Sequence, residues 1–232
     1  MFFNNKEYIY LVWQDDKNRD FYVVGQLSKN GQYEFEYMGE IDKALENGFQ
    51  YLISFPERKK YKSEILFPAF SSRLPDKKRE NIDEILKKYN MKEYDPYLLL
   101  KNSGAKLPID NLQFIDPIIK IGKERIERKF YVSGIRYKNK CFGKHCEQLE
   151  DIEVGEFLEL QPEVNNPKDA YAIKVIYKNR QIGYIPRYYS KKVSDFIKKS
   201  NNYSCEIIEL NKSSNCNECI KAKLILNCKN EN

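Results

Sequence analysis

Arginine stands close to an aromatic residue at two places in the second half of the chain. Arg136 directly precedes Tyr137, and Arg187 follows Tyr184 across a proline turn. A guanidinium group binds phosphate and a phenol ring stacks on a base, so such pairs suit single-stranded nucleic acid. These residues therefore predict a nucleic-acid site in this half of the chain.

A polar loop between two predicted strands adds further candidates. The loop reads Asn-Asn-Pro-Lys-Asp and ends with Lys168 and Asp169. Asn and Asp side chains stabilise turns by bonding to nearby backbone groups, and proline restricts φ. Loops also carry binding residues, because the scaffold beneath them fixes their position. A structural role and a binding role for Asp169 therefore both stay open.

Cysteines late in the chain raise the question of a metal. Cys216 and Cys219 have the Cys-x-x-Cys spacing of half a zinc site. Cys141, His145 and Cys146 could supply the remaining ligands, as thiolates alone or together with one imidazole. These spacings do not follow a standard zinc ribbon or finger, so ordinary reduced thiols are the alternative. We expect no other cofactor.

The composition argues against most enzyme classes. His145 is the only histidine among 232 residues, and most general acid–base and nucleophile–base mechanisms use histidine. The sequence contains neither a glycine-rich phosphate-binding loop nor a serine nucleophile motif. We therefore expect a binding protein and not an enzyme.

The charge of the chain is compatible with an anionic partner. The 40 basic residues exceed the 34 acidic ones, which gives a net charge of +6. A general bias toward Lys and Asn explains this excess equally well, so the scarce arginines are the better indicators of phosphate contact. The sequence has neither an apolar run long enough to span a membrane nor an N-terminal secretory signal. We therefore expect a cytoplasmic protein with reduced cysteines.

Strand, turn and helix patterns predict an α+β protein with two domains, residues 1–117 and 128–232. The first is predicted to be a small antiparallel sheet with helices, with a hairpin at Asn30-Gly31 and a further strand over Tyr51–Phe55. Several of its apolar residues are interpreted as core, with a partner surface as the alternative. They are Tyr33, Phe35, Tyr37, Phe67, Phe70 and Leu74.

The second domain is predicted to be mostly strand. Six short strands with one or two helices fit a small barrel of the OB or SH3-like type. One predicted strand, Lys129–Tyr137, carries Arg136 and Tyr137, and a predicted hairpin turns at Lys178-Asn179-Arg180. A predicted helix over Ser190–Lys199 places lysines on its outer face, where they either are solvated or attract DNA.

The second domain contains several segments in a distinctive order and spacing: Val132–Tyr137, Gly155–Leu160, Glu163 with Asn165–Ala170, Ala172–Val175 and Ile182–Arg187. In these segments it resembles the HIRAN domain. This resemblance implies a modified OB-like barrel that binds nucleic acid, and the best understood members capture single-stranded DNA at a 3′ end.

The resemblance also assigns roles to individual residues. Arg136 and Tyr137 correspond to the residues that hold a phosphate and stack a base. Asp169 corresponds to a polar loop residue that meets the terminal nucleotide. Tyr184 and Arg187 correspond to the turn that completes the pocket. Single-stranded DNA or DNA ends are therefore the implied partner.

Two positions depart from the HIRAN pattern. Lys168 stands where an aromatic residue usually precedes the Asp, and Tyr184 stands where end-binding members can have His. These departures bear on recognition of a 3′ hydroxyl more than on general affinity for DNA.

The first domain contains a second set of recognisable segments, Gly25–Leu27, Tyr33–Tyr37, Tyr51–Pro56 and Leu66–Pro75. In these segments it resembles the small N-terminal subdomain of HipA-type toxin kinases, and the downstream kinase motifs are absent from the sequence. In some toxin–antitoxin systems this subdomain is a separate protein that restrains its kinase. The resemblance thus implies a second hypothesis, an antitoxin-like protein that docks on a HipA-family kinase.

Overall fold

The computed structural model describes residues 7–119, 124–138, 149–200, 202–212 and 218–228. The chain divides into an N-terminal unit, Met1–Pro117, and a C-terminal unit, Ile118–Asn232. Antiparallel sheets and a few short helices form both units. The predicted α+β class is therefore confirmed.

Within residues 7–119, the N-terminal unit consists of one five-stranded sheet and four helices. The strands are β1 (Tyr8–Gln14), β2 (Phe21–Asn30), β3 (Gln32–Tyr37), β4 (Tyr61–Ser63) and β5 (Leu112–Ile115). The helices are α1 (Ile41–Glu46), α2 (Pro68–Ser71), α3 (Ile82–Lys88) and α4 (Pro96–Ser103). The strand order is β4-β3-β2-β1-β5, and every neighbouring pair is antiparallel.

The predicted hairpin joins β2 and β3. Asn30 pairs with Gln32 across Gly31, whose φ of 78° lies in the left-handed region that glycine adopts without a steric penalty. Along β3, buried and partly exposed residues alternate. One face of the strand therefore enters the core, as the alternation of aromatic and acidic residues predicts.

An aromatic cluster forms the core of the N-terminal unit. The Phe35 ring centroid lies 4.5 Å from that of Phe55 and 5.1 Å from that of Phe70. The residues interpreted as core are confirmed as such, since five are buried and Leu74 packs against the cluster. Close aromatic pairs of this kind add stability beyond the apolar area they bury.

The predicted strand over Tyr51–Phe55 is wrong. The segment turns, with the Phe55 amide donating to the Leu52 carbonyl at 2.7 Å. The Tyr37 hydroxyl donates to the Phe55 carbonyl and accepts from the Leu52 amide, at 2.9 and 2.8 Å. A buried side chain from β3 thus satisfies backbone groups that a sheet would otherwise pair.

In the described part of the C-terminal unit, six strands and two helices are present. The strands are β6 (Arg125–Tyr131), β7 (Glu159–Pro162), β8 (Ile173–Tyr177), β9 (Arg180–Tyr184), β10 (Tyr203–Leu210) and β11 (Ile220–Asn227). The helices are α5 (Ile135–Lys138) and α6 (Arg187–Lys199). β8 and β9 form the predicted hairpin, whose turn residues Lys178 and Asn179 both have positive φ.

These strands form two three-stranded antiparallel sheets, ordered β10-β11-β6 and β7-β8-β9. Isolated bridges link their edges, one between Ser133 and Tyr184 and the other between Phe157 and Glu206. Over the described residues these bridges are isolated and do not extend into named strands that pair between the sheets, so a closed barrel stays a prediction. The bridge at Ser133 is the one that shapes the candidate site.

Candidate nucleic-acid interface

Arg136 lies on a short helix, which corrects the predicted strand over Lys129–Tyr137. β6 ends at Tyr131, and Gly134 then takes a left-handed conformation with a φ of 73°. Ile135 is buried at the start of α5, and Arg136 is exposed. The strand cannot continue through a left-handed residue, so the chain turns and presents the guanidinium to solvent.

Tyr137 is the partner predicted for Arg136. Its backbone lies in α5, so it also leaves the predicted strand. Its side chain lies outside the described part of the structure, and its stacking role stays a prediction.

Tyr184 lies against the entry to α5. Its backbone exchanges two hydrogen bonds with Ser133, at 2.8 and 2.9 Å. A Cβ atom placed on Gly134 would lie 3.3 Å from the Tyr184 ring carbon Cδ2. α5 also packs against β9, the strand that Tyr184 ends. The structure thus places the Tyr184 ring next to Gly134, which lies two positions before Arg136 in the chain.

The polar loop is built around the side chain of Asn166. Asn166 Oδ1 accepts hydrogen bonds from the backbone amides of Lys168 and Asp169, at 2.9 and 3.1 Å. Asp169 Oδ1 in turn accepts from the Tyr171 amide at 2.9 Å. Asp169 is half-buried and Lys168 is exposed. Asp169 therefore has a structural role in this turn, as its position in an Asn-rich loop predicts.

Glu163 connects this loop to Tyr184. Asn166 Nδ2 donates to Glu163 Oε2 at 2.7 Å, and Lys174 Nζ lies 3.1 Å from Glu163 Oε1. The hydrogen bond from Asn166 lowers the pKa of Glu163 most, and bonds from Lys174 and the Tyr184 side chain lower it further against partial burial. The carboxylate thereby holds the loop, β8 and the end of β9 in one network.

Arg187 begins α6 and does not lie in a turn. Pro186 precedes it as the N-cap residue, with a φ of −54°, which is compatible with the start of a helix. The helix therefore starts three residues before the predicted Ser190. Val193 on its inner face is fully buried. Its exposed lysines are Lys191, Lys192, Lys198 and Lys199.

Comparison with known proteins agrees with this architecture. Residues 128–229 match the family model of the HIRAN domain. Residues 17–108 match that of the HipA N-terminal domain. Both resemblances predicted from the sequence are therefore confirmed, and the two parts are called the HIRAN-like and HipA-like domains below.

Similarity to solved structures is weaker. A crystal structure of the HIRAN domain of human HLTF is 22% identical to this chain, with a TM-score of 0.28. The match covers 43% of this chain and 71% of that one. None of the curated proteins matches the chain.

Sequence reasoning did not single out Tyr171, an exposed aromatic residue of the HIRAN-like domain. Its side chain is partly exposed, and the ammonium group of Lys191 lies 5.4 Å from the centroid of its ring. Tyr171 has the same parity as the buried Ile173 and Val175, so strand alternation would place it inside. Only the start of β8 at Ile173 reveals that the alternation does not extend to Tyr171.

The predicted zinc ligands fall mainly outside the described residues. Cys141, His145, Cys146 and Cys216 all do so, while Cys219 is buried and forms no disulfide. Across the described ranges, no group of three or more potential metal ligands occurs. The zinc site stays a prediction.

Cys205 is not among the predicted zinc ligands, and its thiol is buried. Burial raises its pKa to about 12, so the thiolate needed for metal binding is disfavoured there.

Across the same described ranges, none of the helices combines the length and the apolar character needed to cross a bilayer.

Proposed function

We propose that the HIRAN-like domain binds DNA without catalysing a reaction, and that it takes single strands or strand ends. The HIRAN resemblance implies this partner. The observation that carries the proposal is the exposed guanidinium of Arg136 on a helix whose entry packs against the Tyr184 ring. A phosphate-binding cation and an aromatic ring near each other fit a strand with unpaired bases.

The surroundings of Arg136 support this proposal. Lys168 is exposed on the loop that Glu163 ties to Tyr184, and α6 presents lysines to solvent. Positive side chains on several elements attract a phosphate backbone from a distance and speed association. The scarcity of histidine favours binding over catalysis, because most acid–base mechanisms use that residue.

Substitution of Arg136 tests the proposal. We expect Arg136→Ala to weaken binding of a labelled single strand by about 1–3 kcal/mol, or about 5- to 150-fold, because the charge and its support of a stacked base are both lost. The slope of log affinity against log salt should fall by about 0.7, the value for one phosphate contact on a single strand. Fluorescence anisotropy at several salt concentrations measures both quantities.

Arg79→Ala is the matched control. Arg79 is an exposed arginine of the N-terminal unit, so its loss changes the net charge equally at a residue that is not part of the candidate site. Equal affinity of the Arg136→Ala variant and the wild-type protein would refute the assignment of Arg136. Lack of binding by the wild-type protein at low salt would refute the function.

A second candidate function belongs to the HipA-like domain. Ile53 is 99% exposed and Ile65 is 71% exposed, although both are large apolar residues within the matched range. Burial of these side chains by a partner would remove apolar area from water. We propose that the HipA-like domain docks on a HipA-family kinase through the part that carries Ile53, as the resemblance implies.

Co-expression with a HipA-family kinase from the same genome tests this second function. We expect the two proteins to co-elute in size-exclusion chromatography, and Ile53→Asp to weaken the complex at least tenfold because a charge would be buried at the interface. Val164→Asp is the control, since Val164 is 80% exposed in the HIRAN-like domain. Separate elution of the wild-type protein and the kinase would contradict the proposal.

A further inference from the structure

Tyr171 presents an aromatic ring to solvent on a turn that is held in place. It is 38% exposed, while the next two residues, Ala172 and Ile173, are buried. Its amide donates to Asp169 Oδ1 at 2.9 Å, and the Ala172 amide donates to the Asp169 carbonyl at 3.0 Å. The turn is thereby anchored on both sides of the ring, which reduces the entropy lost when a ligand stacks there.

Lys191 lies over this ring from α6. Its Nζ atom is 5.4 Å from the ring centroid, and the side chain is exposed. Lys191 follows Arg187 by four residues, so the two side chains lie on the same face of the helix. An exposed contact between an ammonium and a ring is weak, so a base can displace the ammonium while it moves to a neighbouring phosphate.

A continuous set of hydrogen bonds links this pair to the site described above. Tyr171 is bonded to Asp169, whose amide is held by Asn166. Asn166 is bonded to Glu163, which also accepts from the side chain of Tyr184. One loop therefore holds both the Tyr171 backbone and the Glu163 carboxylate that interacts with Tyr184.

We propose that Tyr171 and Lys191 form a second nucleotide subsite, which rests on the proposed DNA-binding function. The ring stacks on an unpaired base, and the ammonium contacts the phosphate next to that base. Because stacking needs a base that is not paired, the subsite binds single strands and not duplexes. The subsite also supplies an aromatic contact, through Tyr171, to a loop in which Lys168 replaces the aromatic residue that usually precedes the Asp in the HIRAN pattern.

Strands of two lengths test the subsite. A short strand of about 4 nucleotides fills one site, and one of about 12 nucleotides reaches both. We expect Tyr171→Ala to weaken binding of the longer strand about tenfold and to leave the shorter strand and a duplex almost unaffected. Tyr171→Phe keeps the ring and should bind like the wild-type protein. Lys191→Ala should reduce the salt slope for the longer strand by about 0.7.

The chain offers a matched control pair in its other unit. Lys88 Nζ lies 5.8 Å from the centroid of the Tyr89 ring, so Tyr89→Ala and Lys88→Ala remove the same chemical groups far along the chain. Neither should change the affinity for the longer strand.

The outcomes separate the subsite from the function on which it rests. If Arg136→Ala weakens binding of the longer strand and Tyr171→Ala does not, the subsite is overturned and the proposed function stands. If the wild-type protein binds neither strand, both are overturned. Thermal melts check that every variant is folded.

Discussion

We expect Gly183→Ala to lower the free energy of unfolding of the C-terminal unit by about 3 kcal/mol, the upper part of the range for overpacking a core. A Cβ atom at this position would lie 2.5 Å from both the Ser133 carbonyl oxygen and the Val132 Cγ1 atom. Val132 is fully buried, so its side chain can move only against packed neighbours in the core. The Ser133 carbonyl accepts from the Tyr184 amide at 2.8 Å, and its displacement breaks this bridge.

Urea denaturation followed by circular dichroism measures this loss. Gly31→Ala is the matched control, because a Cβ there meets no atom within 4 Å and only its positive φ opposes the substitution. We expect the control to lose about 1 kcal/mol. Equal losses of unfolding free energy in the two variants would show that the close approach of β9 to Ser133 does not make the site sensitive to an added Cβ atom. Gly183→Ala should also weaken DNA binding, since the bridge positions Tyr184 against α5.

We expect Arg73→Met to lower the free energy of unfolding of the N-terminal unit by about 3–5 kcal/mol. The Arg73 side chain is 6% exposed and forms a bidentate pair with Asp110, at 2.5 and 2.9 Å. It also donates to the carbonyl oxygens of Ala105 and Leu112, both at 2.9 Å. Met fills a similar volume but leaves a carboxylate and two carbonyl groups without this donor.

Arg58→Met is the control for this prediction. Arg58 also pairs with a carboxylate, that of Asp42, but its side chain is 42% exposed and that of Asp42 is 73% exposed. Exposed ion pairs contribute little to stability, so we expect almost no change in the urea midpoint. Similar shifts of the urea midpoint for the two variants would contradict the explanation that burial makes the Arg73–Asp110 pair important for stability.

Acid provides a second measurement for Arg73→Met. Burial raises the pKa of Asp110, but hydrogen bonds from Arg73 and the Leu112 amide outweigh burial and bring the pKa below its usual value. A carboxyl group with a lowered folded-state pKa stabilises the fold above its unfolded-state pKa, and this contribution is lost as the pH falls through the folded-state value. We expect the Arg73→Met variant to lose less stability than the wild-type protein over this acidic range.

Local patterns predicted the elements that depend on neighbouring residues. The Asn30-Gly31 turn and the β8–β9 hairpin formed as predicted. Both depend on turn residues that adopt a positive φ and on alternating apolar residues, and these signals span only a few positions of the chain. The buried inner residues of β3 and β8 follow the same alternation. The order and spacing of sequence segments also predicted both family resemblances.

Other predictions were wrong because of contacts between residues that are far apart in the sequence. Tyr51–Phe55 has the composition of a strand, but the hydroxyl of Tyr37 binds its backbone in a turn. Arg136 lies on a helix and not on the predicted strand, because Gly134 ends that strand beside Tyr184. Both outcomes depend on pairing between segments that are far apart in the chain, which a local pattern does not record.

By itself, the sequence determined the α+β class, the two family resemblances and the residue types able to hold a phosphate and a base. Only the tertiary structure decided how these residues are presented: Arg136 on a helix, Arg187 at the start of another, and Tyr171 exposed in spite of its strand parity. The physical reason is that turn and periodicity signals act over a few residues. The exposure of a side chain is instead set by where a strand ends and which distant backbone it meets.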